Sequence, residues 1–174
     1  MLQNLLGNAS DAVSSITGEA NDGSNKFRKT LKRPAFFTSD IDVNAGEYQK
    51  LGEFVVPAQE QYRFGAGAAE YEANQGYLFI DIQDASGPNP VQGTVRLQQR
   101  DAQERNIVTV FEEDTEVLRS SKTDRTQKQA LPEQRNYPRV GRDSKLVVAI
   151  NPDSTLTVSA SDTEMLIPVT VYPV

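Results

Sequence analysis

The sequence predicts an all-β protein, an eight-stranded antiparallel β-sandwich of the single jelly-roll kind, carried behind an N-terminal amphipathic helical arm. Three observations predict it. The hydrophobic period is close to 3.6 over the first 17 residues and close to 2 after Pro34. Turn-forming clusters rich in Gly, Pro and Asn separate the period-2 segments. No apolar run approaches the ~20 residues that a membrane-spanning helix needs.

The arm comes first. Leu2, Leu5, Leu6, Ala9, Val13 and Ile16 recur at spacings of three and four, which places them on one stripe of a helix, with Asn4, Asn8, Asp11 and Ser15 opposite. Gly18 is the expected stop, and Asn21, Asp22, Gly23, Ser24 and Asn25 form a linker. Five cations follow within eight residues, Lys26, Arg28, Lys29, Lys32 and Arg33, and Pro34 closes the arm. The division drawn is residues 1–33 for the arm and 34–174 for the sandwich.

Strands are expected over 47–56, 62–64, 77–82, 91–99, 107–111, 146–150, 156–160 and 165–172. In the fourth, Val91, Gly93, Val95 and Leu97 alternate with Gln92, Thr94, Arg96 and Gln98, the pattern of a half-buried strand. Segments 77–82, 107–111 and 146–150 are apolar on both faces and should be central. The Asn151, Pro152, Asp153 and Ser154 cluster reads as a tight hairpin. Pro57 and Pro168 lie at or inside strands, which predicts edges or bulges there because proline cannot donate to a ladder. No helix of length is expected after Pro34.

Residues 120–144 interrupt the regular spacing, being polar, basic and too long for an ordinary connection. The reading is an inter-subunit loop presenting Arg125, Lys128, Arg135, Arg139 and Arg142; a mobile solvated loop is the alternative. Charge fits both, since blocks of alternating sign on a folded chain are usually a solvated surface. The net charge of −6 hides blocks of −3 over residues 1–25, +5 over 26–33, −10 over 34–118, +5 over 119–145 and −3 over the remainder. Blocks of opposite sign suit copies docking side by side.

Chemistry finds little to work with. The chain has no Cys and no His, which removes disulfides, thiolates, the commonest general base and the commonest metal ligand. Asp81, inside an apolar strand, has no partner carboxylate at diagnostic spacing. The stretch from Asn21 to Asn25 lacks the distal acid of a calcium loop, and Gly65 with Gly67 precedes no phosphate-binding motif. No enzyme activity, cofactor, metal, small-molecule substrate or nucleic-acid sequence recognition is expected. For the arm, contact of Leu2, Leu5, Leu6, Val13 and Ile16 with a bilayer, with the cations meeting headgroups, competes with packing on protein.

The segments YRFGAGAAEYEANQGYLFIDIQD, residues 62–84, and VTVFEEDTEVLR, residues 108–119, resemble the small major capsid proteins of membrane-containing icosahedral viruses of the sphaerolipovirus type. The resemblance is diffuse and covers residues 46–174. It implies one upright jelly roll in a virion, associating with itself and with a larger capsid protein into a shell over an internal membrane, the arm pointing inward. The alternative function is a carbohydrate- or receptor-binding sandwich, such as a phage decoration or spike domain, which should cluster its tyrosines on one face.

Overall fold

The computed structural model describes residues 26–66, 77–120 and 129–174. They form strands β1 (Phe27–Lys32), β2 (Ile41–Val43), β3 (Gln49–Val55), β4 (Glu60–Phe64), β5 (Tyr77–Asp81), β6 (Gly93–Arg100), β7 (Ile107–Asp114), β8 (Gln129–Ala130), β9 (Lys145–Pro152), β10 (Leu156–Val158) and β11 (Glu164–Pro173). A 3-10 turn spans Arg33–Ala35 and one helix, α1, spans Thr115–Ser120. All eight expected strands are present. Every named pairing is antiparallel.

One sheet runs β1-β11-β5-β8 with β4 also paired to β11, another runs β3-β9-β6-β7, and β10 pairs β2. The period-2 pattern explains which face closes inward. Val91, Gly93, Val95 and Leu97 are buried while Gln92 is exposed and Thr94 and Arg96 are partly so. β9 lies between β3 and β6, and Leu146 to Ile150 are all at most 1% exposed, so both its faces are covered. Met165, Ile167, Val169 and Val171 of β11 meet Tyr62 and Phe64 of β4 and Val95 and Leu97 of β6 in a single core. Each such side chain contributes roughly 1.5–3 kcal/mol on burial.

Four expectations need correction. The basic stretch placed in the arm is strand β1, in full register with β11 from Phe27 opposite Val171 to Lys32 opposite Leu166. Leu31 is buried and Phe27 packs against the core, so the arm ends before residue 27 and the sandwich begins there. The Asn151–Ser154 cluster makes no hairpin: Asn151 and Pro152 still pair with β6, and β10 joins β2 instead. The turn passes the chain between sheets. Strand 107–111 is not central, because β7 ends its sheet path and Ile107 is 49% exposed.

Pro168 is neither on an edge strand nor bulged. It lies where β11 changes partner, from β5 at Glu164–Leu166 to β4 at Val169–Pro173. Its carbonyl accepts from Gly65 N on that side at 2.7 Å. The N–H of the same residue would point to the same edge, so its absence falls in the gap between two ladders. Pro57 lies two residues beyond the end of β3 and takes no part in a ladder.

Candidate assembly surface

The residues expected to touch lipid divide into two groups. Leu2, Leu5, Leu6, Val13 and Ile16 lie outside the described residues, as do Arg125 and Lys128 of the expected loop. Lys26, Arg28, Lys29, Lys32 and Arg33 are brought onto β1 and the turn that follows it, where backbone pairing fixes their spacing. Lys29 Nζ lies 5.8 Å from the ring centre of Phe54, and Arg33 donates to Phe37 O at 3.1 Å while lying over that ring at 6.0 Å. Lys29 shares the inward side of the strand with Phe27 and Leu31. A charge so placed on a terminal strand resists uncontrolled edge pairing.

The stretch 129–144 is built into the fold. Leu131 is 1% exposed; the chain before it pairs with β5, and the chain after it runs along the free edge of β4. Gln134 N donates to Phe64 O at 2.9 Å, and Tyr62 and Val140 exchange two backbone bonds of 2.8 and 2.9 Å. Gly65 permits this approach. It holds a φ of +89°, and a Cβ there would fall 1.9 Å from Pro132 O.

Glu133 ties the stretch to the outer face of the β4/β11 pair. Its side chain, 4% exposed, accepts from Arg63 Nη1 at 3.3 Å and from Arg135 Nε at 3.0 Å, and also from the Tyr172 hydroxyl. Burial pushes this carboxyl up, but the bonds from Tyr172, Arg135 and Arg63 outweigh it and hold the group below its ordinary range. Tyr172 is raised, by burial first and then by the Glu133 charge. Arg139 lies 3.5 Å over the Tyr172 ring. Arg135, Arg139 and Arg142 therefore form a basic rim on a fixed base. Arg142 pairs with Asp143 at 3.4 Å with both side chains about 70% exposed, a contact that contributes little.

The acidic counterpart is at the end of the other sheet. Glu112, Asp114 and Glu116 are exposed on β7 and α1, with exposed Val117 next in the chain, and Glu112 is bonded by Arg96. The opposite signs seen along the chain thus stand on different elements of the fold. Sequence reasoning missed Arg63, Glu133 and Tyr172. For Arg63 a signal existed, since it alternates with the inward Tyr62 and Phe64.

Other candidates resolve simply. Asp81 is half-buried, accepts from Gln83 Nε2 at 2.7 Å and stands in register with Glu164. Among the described residues no group of three or more acidic, His or Cys side chains is placed to hold a metal ion. Tyr62 is buried in the core, Tyr77 and Tyr137 are half-buried, and Tyr71 lies outside the described residues.

Antiparallel sheets of five, four and two strands around one core can be compared as a whole with solved structures. The fold is that of VP17, a capsid protein of bacteriophage P23-77. The likeness has a TM-score of 0.60 at 11% identity, covering 86% of this chain and 97% of VP17. The VP16-VP17 complex, the two major capsid proteins of the same phage, matches with a TM-score of 0.60 at 13% identity over 86% of this chain and 99% of the matched chain. No protein-family model matches the sequence, and no curated protein matches it. At such identities VP17 and this chain share an architecture, and little of their surfaces.

Proposed function

We propose that this chain is a structural virion protein, a small major capsid protein that assembles with itself and a larger capsid protein into an icosahedral shell over an internal membrane. The observation that supports this best is the architecture shared with VP17 along almost the whole of that capsid protein, and with the complex that pairs VP17 with a second one. The function requires no reaction. Ladders supply rigidity, and contacts come from the basic rim at Arg135, Arg139 and Arg142, the acidic end at β7 and α1, and the arm.

The strand order favours a single jelly roll. The pairs β1/β11, β3/β9, β5/β8 and β6/β7 are nested, first strand with last and so inward, as a long hairpin folded over on itself requires. The pair β2/β10 falls in the same nest, between β1/β11 and β3/β9, and β4 lies outside it. In this reading residues 1–25 form the helical arm at the root of β1, its leucine stripe turned toward the membrane, with the exposed Lys32 nearest the headgroups.

Sedimentation of the purified chain tests the proposal. Oligomers should form at low salt and dissociate as salt rises, because exposed charges a Debye length apart are screened. Arg135→Glu combined with Arg142→Glu should weaken association at least tenfold. A chain that stays monomeric at every salt and protein concentration would rule the shell role out.

A further inference from the structure

We infer that the outer edge of β7 is where two copies of this chain join, antiparallel about a two-fold axis, an inference that deepens the self-association in the shell reading and rests on it. β7 pairs with β6 along one side, and among the described residues no strand lies along the other. An open edge of eight residues is a ready template for a further strand, so folds usually cover or interrupt it. Elsewhere this fold does so. The edge of β3 is met by Phe36, whose carbonyl accepts from Glu53 N at 3.2 Å, and that of β4 by the chain at Val140. β7 itself contains no proline or lysine, and Ile107 at its start is 49% exposed.

Charge names the occupant. The edge starts basic and ends acidic, with exposed Arg105 ahead of Ile107 and exposed Glu112 and Asp114 at the other end. A copy running parallel would set like charges side by side. An antiparallel copy sets each end against its opposite, and a two-fold axis satisfies both ends at once. The bulge locates that axis. Leu97 stands opposite Phe111 and Gln98 opposite Thr109, so Val110 is the extra residue, and one face carries Ile107 and Thr109 before it but Glu112 and Asp114 after it. An axis between Thr109 and Val110 keeps the faces matched. It sets Arg105 opposite Asp114 of the second copy, Ile107 opposite Glu112, and half-buried Val108 opposite half-buried Phe111. An axis one residue later would put Val108 opposite Glu113 instead. Arg96 already bonds Glu112, and Asp114 gives Oδ1 to Glu116 N at 3.0 Å, which leaves Oδ2 for Arg105. Two four-stranded sheets thereby become one continuous sheet.

The full chain carries no Cys, so an introduced one reports the contact cleanly. Chains with Ile107→Cys and chains with Glu112→Cys, mixed at low salt and oxidised, should form a covalent dimer, because paired residues of antiparallel strands lie about 4.5–5.5 Å apart at Cα, within disulfide reach. Neither should do so when oxidised alone. In sedimentation at low salt, Arg105→Glu replaces two attractions per dimer with two repulsions and should weaken self-association at least tenfold, while Arg105→Lys should associate like the wild type. A mixture that yields no covalent dimer, or an Arg105→Glu chain that associates like the wild type, would overturn the inference. If association is then still lost on combining Arg135→Glu with Arg142→Glu, the shell reading stands and its contacts lie on the rim. A wild type that never associates would end both.

Discussion

Gly65 and Glu104 show how single residues hold the two ends of the molecule. At Gly65 a methyl group would strike the Pro132 carbonyl, and the left-handed φ is itself unfavourable for any residue with a Cβ. Gly65→Ala should therefore destabilise the protein by roughly 2–3 kcal/mol, read as a lower urea midpoint with unchanged slope. Glu104, in the connection between β6 and β7 at a φ of +56°, accepts from Lys50 and Lys145 at 2.9 Å each and from Arg100 at 3.3 Å. Bonds from Lys50 and then Lys145 hold its carboxyl down at about 2, against an ordinary 4.5. A depressed pKa means that the folded state binds the proton less readily than the unfolded one. The stabilisation is complete above pH 4.5 and disappears as pH falls toward 2. Glu104→Gln should flatten the acid limb of a thermal-melting profile between those values and leave the slope above pH 5 unchanged; equal slopes in both proteins over the acid range would contradict this account.

At the scale of elements, β1 carries the clearest consequence. Removing residues 1–25 leaves β1 and its whole register with β11 in place, so the shortened chain should melt close to the full one. Removing residues 1–33 deletes a strand in register over six residues and exposes β11 along one side. That variant should aggregate or melt far lower, and circular dichroism melting separates the two. The same strand marks what sequence could not disclose. Segment 91–99 was legible because every second residue is apolar, whereas in β1 Lys29 occupies the inward position between Phe27 and Leu31 and disguises the period. β2 and β8, three and two residues long, are too short for any period to register. Pairing of β1 with β11 joins opposite ends of the chain, and no local pattern encodes it. At the candidate surface, Arg135, Arg139 and Arg142 were legible as a basic run. The Glu133–Tyr172 bond that fixes their base spans 39 residues and was not.

At the scale of the whole molecule, segregation of charge is the property that carries the argument. An acidic end and a basic rim stand on separate elements of a stiff body, so one copy can present to another a surface of opposite sign without bending. A shape shared with VP17 at 11% identity means that the frame is common to two very different sequences. In the proposed shell, neighbour choice depends on the exposed charges and not on the frame. Electron microscopy of the native material purified from its source is the most direct test of that account. It predicts icosahedral particles whose density accommodates the β-sandwich in the shell, with residues 1–25 on the inner side. Homogeneous small particles of one copy each, or a shell in which this chain occupies no lattice position, would contradict it.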